Sequence, residues 1–352
     1  MRKPARARSL MPDPGRSLLA ATLAFLVAAA VLSAGPSEAA ESEGGVLRLE
    51  AVPVALSETV APGDRIGHMR FLGMLALPSV KLAGRRLSQL SALAWDEDEG
   101  VLYALSDKGT LFHLRPRFEG ERLAGVTLRR VVPLRDADGK PLEGRQADAE
   151  GMAVRSGRNG RRGDSDLIVS FERNPRIVRY DPSTGRPRGE LPLPAALRHR
   201  ANYRDDNRML ESVCEDERLG VLTIPEEPLR GEQDGFMRIY SLAGESWLLP
   251  QHGALRPSDM ACLGSGELLV LERDFGQLFG HTAVALRRLR LALGRAAPLT
   301  DEVVVHLRSE DGYTLDNFEG LAHHRGRRFF LVSDNNDLFF QRTLLLYIEL
   351  LD

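Results

Sequence analysis

The chain has 352 residues, with 47 Lys and Arg against 49 Asp and Glu, two Cys, 33 Gly and 20 Pro. A formal charge of −2 leaves no basic footprint for nucleic acid, and two cysteines build neither a disulfide scaffold nor a Cys-rich zinc module. Hydrophobic residues at 43% and charged residues at 27% are ordinary for a globular protein, and the spread of Gly and Pro predicts many turns between short elements.

The first predicted element is an export signal over residues 1–39. Arg2, Lys3, Arg6, Arg8 and Arg16 precede an uncharged apolar run, residues 18–32, and then Gly35, Pro36 and the stretch Ser37-Glu38-Ala39. Positive, then apolar, then small is the layout of a signal peptide cleaved near Ala39. The run is shorter than the roughly 20 residues that span a bilayer, and an uncleaved N-terminal anchor is the rival reading. No Cys near the cleavage site suggests a lipoprotein, and no later segment is long and apolar enough to span a membrane. Loss of five basic and two acidic residues leaves an exported chain near −5. Its expected location is periplasmic or secreted, where calcium is available and disulfides are permitted.

After an N-terminal segment, residues 40–66, the remainder (67–352) repeats. Five times an acidic or polar residue and a small one open an apolar strand, a turn follows, and a second apolar strand ends in an acid. The copies begin at Ser91, Glu150, Glu211, Asp259 and Glu319, with spacings of 59, 61, 48 and 60. Further strand-like segments complete each unit, as at 110–114, 177–180, 236–242, 284–293 and 344–350. About four short strands per unit, with no sustained helical period, predicts an all-β fold, a β-propeller of five blades. A sixth, degenerate blade around residues 46–56 is the alternative. The last unit ends one strand short, and residues 68–77 resemble the outer strand of the first unit at 126–134. An N-terminal strand is therefore expected to close the ring and remove its open edges.

In a blade the start of the first strand and the end of the second lie on one face. The starts Ser91, Glu150, Glu211, Asp259 and Glu319 and the ends Asp107, Glu172, Glu226, Glu272 and Asp334 place acids at nine of ten related positions. Such a ring survives by protonation, by pairing with Arg or Lys, or by a bound cation. Oxygen-only donors suit Ca²⁺, or another hard divalent metal such as Mg²⁺. The expected metal set is Asp107, Glu150, Glu172, Glu211, Glu226, Asp259, Glu272, Glu319 and Asp334. Asp148, Asn207, Asn317, Asn335 and Asn336 lie beside it in sequence. The competing reading is that each acid caps a turn.

Asp148-Ala149-Glu150-Gly151-Met152-Ala153, Asn317-Phe318-Glu319-Gly320-Leu321-Ala322 and Leu268-Leu269-Val270-Leu271-Glu272-Arg273 resemble the family called "esterase-like activity of phytase". So do Leu87-Ser88-Gln89-Leu90-Ser91-Ala92-Leu93, Leu105-Ser106-Asp107-Lys108-Gly109 and Leu331-Val332-Ser333-Asp334-Asn335-Asn336. The resemblance covers roughly residues 70–350, and it implies a secreted or periplasmic propeller with phytase-like or esterase-like activity. Where other units show Glu-Gly, Glu211-Ser212 and Asp259-Met260 stand here. Blades three and four are thus expected to differ in how closely their backbone approaches a ligand.

The functional expectation is a metal-dependent hydrolase of a small ester or phosphoester, monomeric, with Glu150, Glu319 and Glu211 as catalytic acids. Arg173, Arg273, Arg208 and Lys108 would hold an anionic substrate. The alternatives are a non-catalytic propeller that binds a ligand or partner, and a lactonase-type propeller enzyme. A serine-esterase route lacks its Gly-x-Ser-x-Gly elbow, and no His-Glu-x-x-His occurs. The basic stretch Arg198, His199, Arg200, Arg204 and Arg208 reads as a solvated connection, or more sharply as a phosphate clamp. His323 and His324 read as structural. Cys214 and Cys262 sit at equivalent places in adjacent units, so their side chains should point the same way around the ring, which favours buried free thiols over the alternative of a disulfide.

Overall fold

The computed structural model describes residues 46–276, 281–294 and 298–352. The expected export signal lies outside the described residues. Within them, helix is confined to four 3₁₀ turns of three residues each, and the rest of the regular structure is β.

Five antiparallel sheets form the blades. In order from the inner strand outward, blade one is Leu90–Asp96, Val101–Ser106, Thr110–Glu119 and Arg122–Pro133. Blade two is Ala149–Arg155, Asp166–Phe171, Arg176–Tyr180 and Pro187–Leu191. Blade three is Leu210–Asp216, Gly220–Pro225, Phe236–Ser241 and Ser246–Pro250. Blade four is Arg256–Gly264, Glu267–Phe275, Thr282–Arg290 and Asp301–Arg308. Blade five is Asn317–Arg325, Arg328–Asp334, Thr343–Leu350 and, from the N-terminal side, Met69–Leu77. The inner strands touch in the cyclic order one, two, three, four, five, one.

Ring closure follows the expectation. Met69–Leu77 pairs antiparallel with Thr343–Leu350, from Leu350↔Met69 to Thr343↔Leu77. The segment that would have seeded a sixth blade instead straps the two closing blades. Leu47–Arg48 pairs with Leu128 and Thr127 of blade one, and Val52–Pro53 pairs with Ala76 and Leu75 of blade five. Two sheet edges are thereby covered.

Inner and second strands read as continuous apolar runs because a neighbouring blade covers each of their faces. In Asp166–Phe171 every residue is buried; Leu167 and Val169 face the core shared with blade one, and Ile168 the core shared with blade three. One apolar core fills each of the five interblade gaps. The outer strand Pro187–Leu191 has no such cover and is largely exposed.

Each inner strand carries a β-bulge near its start. The residues left without a partner are Ser91, Glu150, Glu211, Ser258 and Glu319. In blade four the bulge falls on Ser258, one residue earlier than the repeat predicts. This one-residue slip corrects the expectation for the cysteines. Cys214 stands three residues past its bulge and Cys262 four past its own, so strand alternation turns them toward each other. They form a disulfide with Cα atoms 5.6 Å apart, joining the inner strands of blades three and four. Reducing it, or making Cys214→Ser with Cys262→Ser, is expected to cost about 2–4 kcal/mol, because the bond closes a long loop in the unfolded chain. A melting temperature insensitive to reductant would refute this.

Candidate functional site: an acidic channel mouth

A bulge leaves its extra residue free of the ladder and turns it toward the axis. In the second strand, the residue one past the ladder partner of the residue before each bulge meets it there. With the register of blade four corrected, these residues are Asp107, Glu172, Glu226, Arg273 and Asp334. The mouth is therefore built from Ser91, Glu150, Glu211, Ser258 and Glu319 beside those five, which makes seven acids, one arginine and two serines. Their convergence shows in their electrostatics: Glu150 of blade two feels Glu211, Glu172 and Glu319.

Two of the nine expected acids lie elsewhere. Glu272 turns into blade four, where Arg287 Nη1 meets its Oε1 at 2.7 Å and Arg287 Nε meets Asp301 Oδ2 at 2.8 Å. Asp259 occupies the position of Gly151, Ser212 and Gly320, where a side chain faces the next blade. Its carboxylate accepts from Ser212 Oγ at 2.9 Å, Met260 N at 2.8 Å and, across the blade boundary, Leu321 N at 2.7 Å. Close blade contact also explains the glycines of the Glu-Gly pairs, which the sequence suggested approach a ligand. A Cβ on Gly151 would lie 2.7 Å from Ser212 Cα, and one on Gly320 would lie 3.0 Å from Leu93 N.

Two groups of carboxylates are close enough to share an ion. Oxygens of Asp148, Glu150 and Glu172 lie within 4.8 Å of one another, and so do those of Glu172, Glu211 and Glu226. A Ca²⁺ with bonds of about 2.4 Å keeps its ligands within about that distance of one another. Glu172 belongs to both groups. Buried polar atoms without partners accompany them at the same mouth, Ser91 Oγ and Asn317 Oδ1.

Cations compensate only part of the charge. Arg273 Nη2 lies 3.0 Å from Glu319 Oε1 and 3.5 Å from Glu211 Oε1, and these partners outweigh burial to hold the guanidinium protonated. Asn317 Nδ2 donates to Glu319 Oε1 at 2.6 Å. At the rim, Arg173 Nε meets Asp148 Oδ2 at 2.8 Å and Lys108 Nζ meets Asp107 Oδ2 at 2.9 Å. Arg208 pairs with Glu227 at the outer edge.

Burial raises the pKa of the acids, and adjacent acids raise several of them further. Glu172 is pushed up to about 8 by burial, then by Asp148 and Glu226. Asp334 reaches about 8 by burial and then Glu319. Glu319 is held at about 7, because Arg273 and Asn317 offset part of its burial. Glu150 and Glu211 rise well above the carboxylate range by burial, then by adjacent acids. Glu226, Asp107 and Asp148 are raised as well, chiefly by burial.

The other arginines of the basic stretch and the two adjacent histidines have structural partners. Arg198 Nε donates to Leu193 O at 2.7 Å, Arg200 pairs with Asp206, and Arg204 Nη2 meets Asp234 at 3.0 Å, as expected of a solvated connection. His324 Nδ1 lies 2.7 Å from Tyr347 Oη among Trp95, Phe118 and Phe330, and His323 Nε2 lies 2.8 Å from Gly326 O. A cavity of about 540 Å³ lies at the other end of the channel, lined by Trp95, Arg155, Glu215, Cys262 and His323, and it contains none of the mouth acids.

A five-bladed ring with one acid-lined mouth is the class of protein that fold and site define. Residues 85–337 match the model of the Phytase-like family, described as esterase-like activity of phytase, and the chain belongs to that family. Similar solved structures include one titled "Structure of U3-55K", 9% identical with TM-score 0.40, covering 75% of this chain and 96% of that one. Another is titled "Crystal structure of RRP9 WD40 repeats", 10% identical with TM-score 0.36, covering 81% of this chain and 99% of that one. No curated protein matches the chain.

Proposed function

We propose that the chain is an exported esterase-like hydrolase whose acidic mouth holds a divalent cation, Ca²⁺ by preference, and acts on a small ester or phosphoester. The observation that carries this reading is Glu172, a buried carboxylate common to two oxygen clusters of which Arg173 meets only Asp148 and Arg273 only Glu211. Donors that are all carboxylate oxygens fit a hard cation. Asp148, Glu150, Glu172, Glu211 and Glu226 would hold it, and when bound it would polarise the ester oxygen and neutralise developing charge. On the opposite side Arg273 and Asn317 fix the carboxyl of Glu319, which is placed to hold or release a proton near neutral pH. Lys108 and Arg173 at the rim would orient an anionic substrate. Residues 1–39 supply the export signal.

The test is a panel of aryl acetates, aryl phosphates, phytate and lactones, each with Ca²⁺ or with EDTA, beside thermal melts. Calcium is expected to raise the melting temperature and to support turnover of at least one ester class, and Glu172→Gln should remove both effects. Stabilisation without turnover would make the chain a cation-holding binding propeller. A melting temperature unmoved by Ca²⁺ would overturn the site itself.

A further inference from the structure

The face that bears the acidic mouth is not uniform. Over blades five and one it carries three loops: residues 78–89 leading into blade one, 107–109 after its second strand, and 335–342 after the second strand of blade five. Inner-strand starts, second-strand ends and third-strand starts share this face because neighbouring strands are antiparallel. Hydrogen bonds tie the loops together at their bases, from Gln89 N to Asn335 Oδ1 and from Asp107 N to Gln89 O, both at 3.0 Å.

The 335–342 loop ends in an apolar tip. Its base is fixed by Asn336 N to Asp334 Oδ1 at 2.7 Å, Arg342 N to Asp316 Oδ2 at 2.8 Å and Ser333 Oγ to Arg342 O at 2.7 Å. From that base Leu338, Phe339 and Phe340 project with exposures of 42%, 99% and 47%. The two rings meet edge to face, with centroids 5.2 Å apart. Three consecutive apolar side chains on a pinned loop expose area that burial elsewhere would stabilise.

Beside the tip lies uncompensated positive charge. Residues 78–89 contain Lys81, Arg85 and Arg86 and no acid. They form a hairpin, Lys81–Leu82 against Arg85–Arg86, turned by Ala83 and Gly84 at φ 50° and 74°. Arg85 and Arg86 contact the hydroxyls of Thr110 and Ser79. Among the described residues no carboxylate forms an ion pair with Lys81, Arg85, Arg86 or Arg342. With Lys108, which pairs with Asp107, and Arg342, which stands beside Asp316, the three loops carry five cations against Asp107 and Asp337, and the unpaired ones are those of the 78–89 hairpin.

We infer that this rim is a docking surface for an anionic lipid bilayer. The tip would enter the boundary between headgroups and acyl chains, and the cations would lie at the lipid phosphates. One leucine and two phenylalanines are too little for the core of a protein interface, which needs roughly 800 Å² on each side. A bilayer needs only an apolar foothold and charge of opposite sign.

The test is flotation of the exported chain, its N-terminus read by mass spectrometry, with vesicles of phosphatidylcholine alone and of phosphatidylcholine mixed with phosphatidylglycerol. Binding to the anionic vesicles is expected to be at least about tenfold tighter than to neutral ones and to weaken in salt. The Lys81→Gln/Arg85→Gln/Arg86→Gln variant should lose about tenfold or more. Phe339→Ser, at a position with no core contact to lose, should weaken binding without a change in melting temperature. No flotation at low salt, or equal flotation of both variants and the parent, would overturn the inference. So would a concentration-dependent dimer that Phe339→Ser dissolves in the absence of any lipid binding.

Discussion

Replacing Arg273 by Gln is expected to destabilise the metal-free protein at pH 8 by about 3–5 kcal/mol, a fall of roughly 5–8 °C in melting temperature for a domain of this size. Arg273 is the one cation among the ten mouth positions, and it touches Glu319 and Glu211 across the channel. Removing one partner of a buried pair leaves the other's charge without compensation in a poorly solvated site. The acids would respond by taking up protons, so the loss should shrink as the pH is lowered toward 5. Arg273→Lys keeps the charge and should recover part of the difference, without the planar reach that lets one guanidinium contact two carboxylates. Calcium should also recover stability, since a second source of positive charge would then occupy the mouth. Differential scanning calorimetry at pH 8 in EDTA measures the effect. A variant melting within about 2 °C of the parent would show that Arg273 does not balance the mouth.

The fold was legible because a propeller repeats its solution. Each blade needs the same small inner residue, the same two buried strands and the same turn, so the pattern recurs at intervals that survive divergence. Closure was legible for the same reason, since Met69–Leu77 carries the pattern of an outer strand that the last unit lacks. What failed was a single residue of register in blade four. Ser258 and Asp259 both fit the spacing, and the acid looked like the counterpart of Glu150. Only the ladder shows that Pro257 pairs with Glu272, which moves Asp259 into the blade boundary and brings Arg273 to the mouth. One slip therefore hid two facts, the cation that balances the site and the facing of Cys214 and Cys262. A β-bulge displaced by one residue changes which residues face the axis and barely alters the residue pattern and spacing from which the repeat was read.

Without divalent cation the protein is expected to lose stability as the pH rises from about 5 to about 8, the reverse of the usual carboxylate behaviour. Glu172 and Asp334 titrate at about 8 in the folded chain and Glu319 at about 7, against ordinary values of 4.5 for Glu and 3.8 for Asp. Between those limits the folded state binds more protons than the unfolded one, so each step up in pH favours unfolding. Below the ordinary values both states are protonated and these groups cost nothing; above about 8 the cost is complete. Glu319 alone, moved from 4.5 to about 7, corresponds to on the order of 3 kcal/mol. The contributions do not add, because the acids share one field and titrate together. An opposing limb appears at lower pH. At Asp181 the hydrogen bonds from Ser183 and Arg188 outweigh burial and hold the carboxyl at about 2, so the stability it contributes is present above 3.8 and is lost as pH falls through 2. The metal-free curve should thus peak near pH 5. Held as proposed at the ionised acids, saturating Ca²⁺ would add about 2.7 kcal/mol at a hundred times its dissociation constant and should flatten or invert the alkaline limb. Melting curves from pH 4 to 9 in EDTA and in calcium decide the matter. A metal-free protein that grows more stable between pH 5 and 8 would mean that the mouth acids ionise without cost, and the case for a cation there would lose its electrostatic ground.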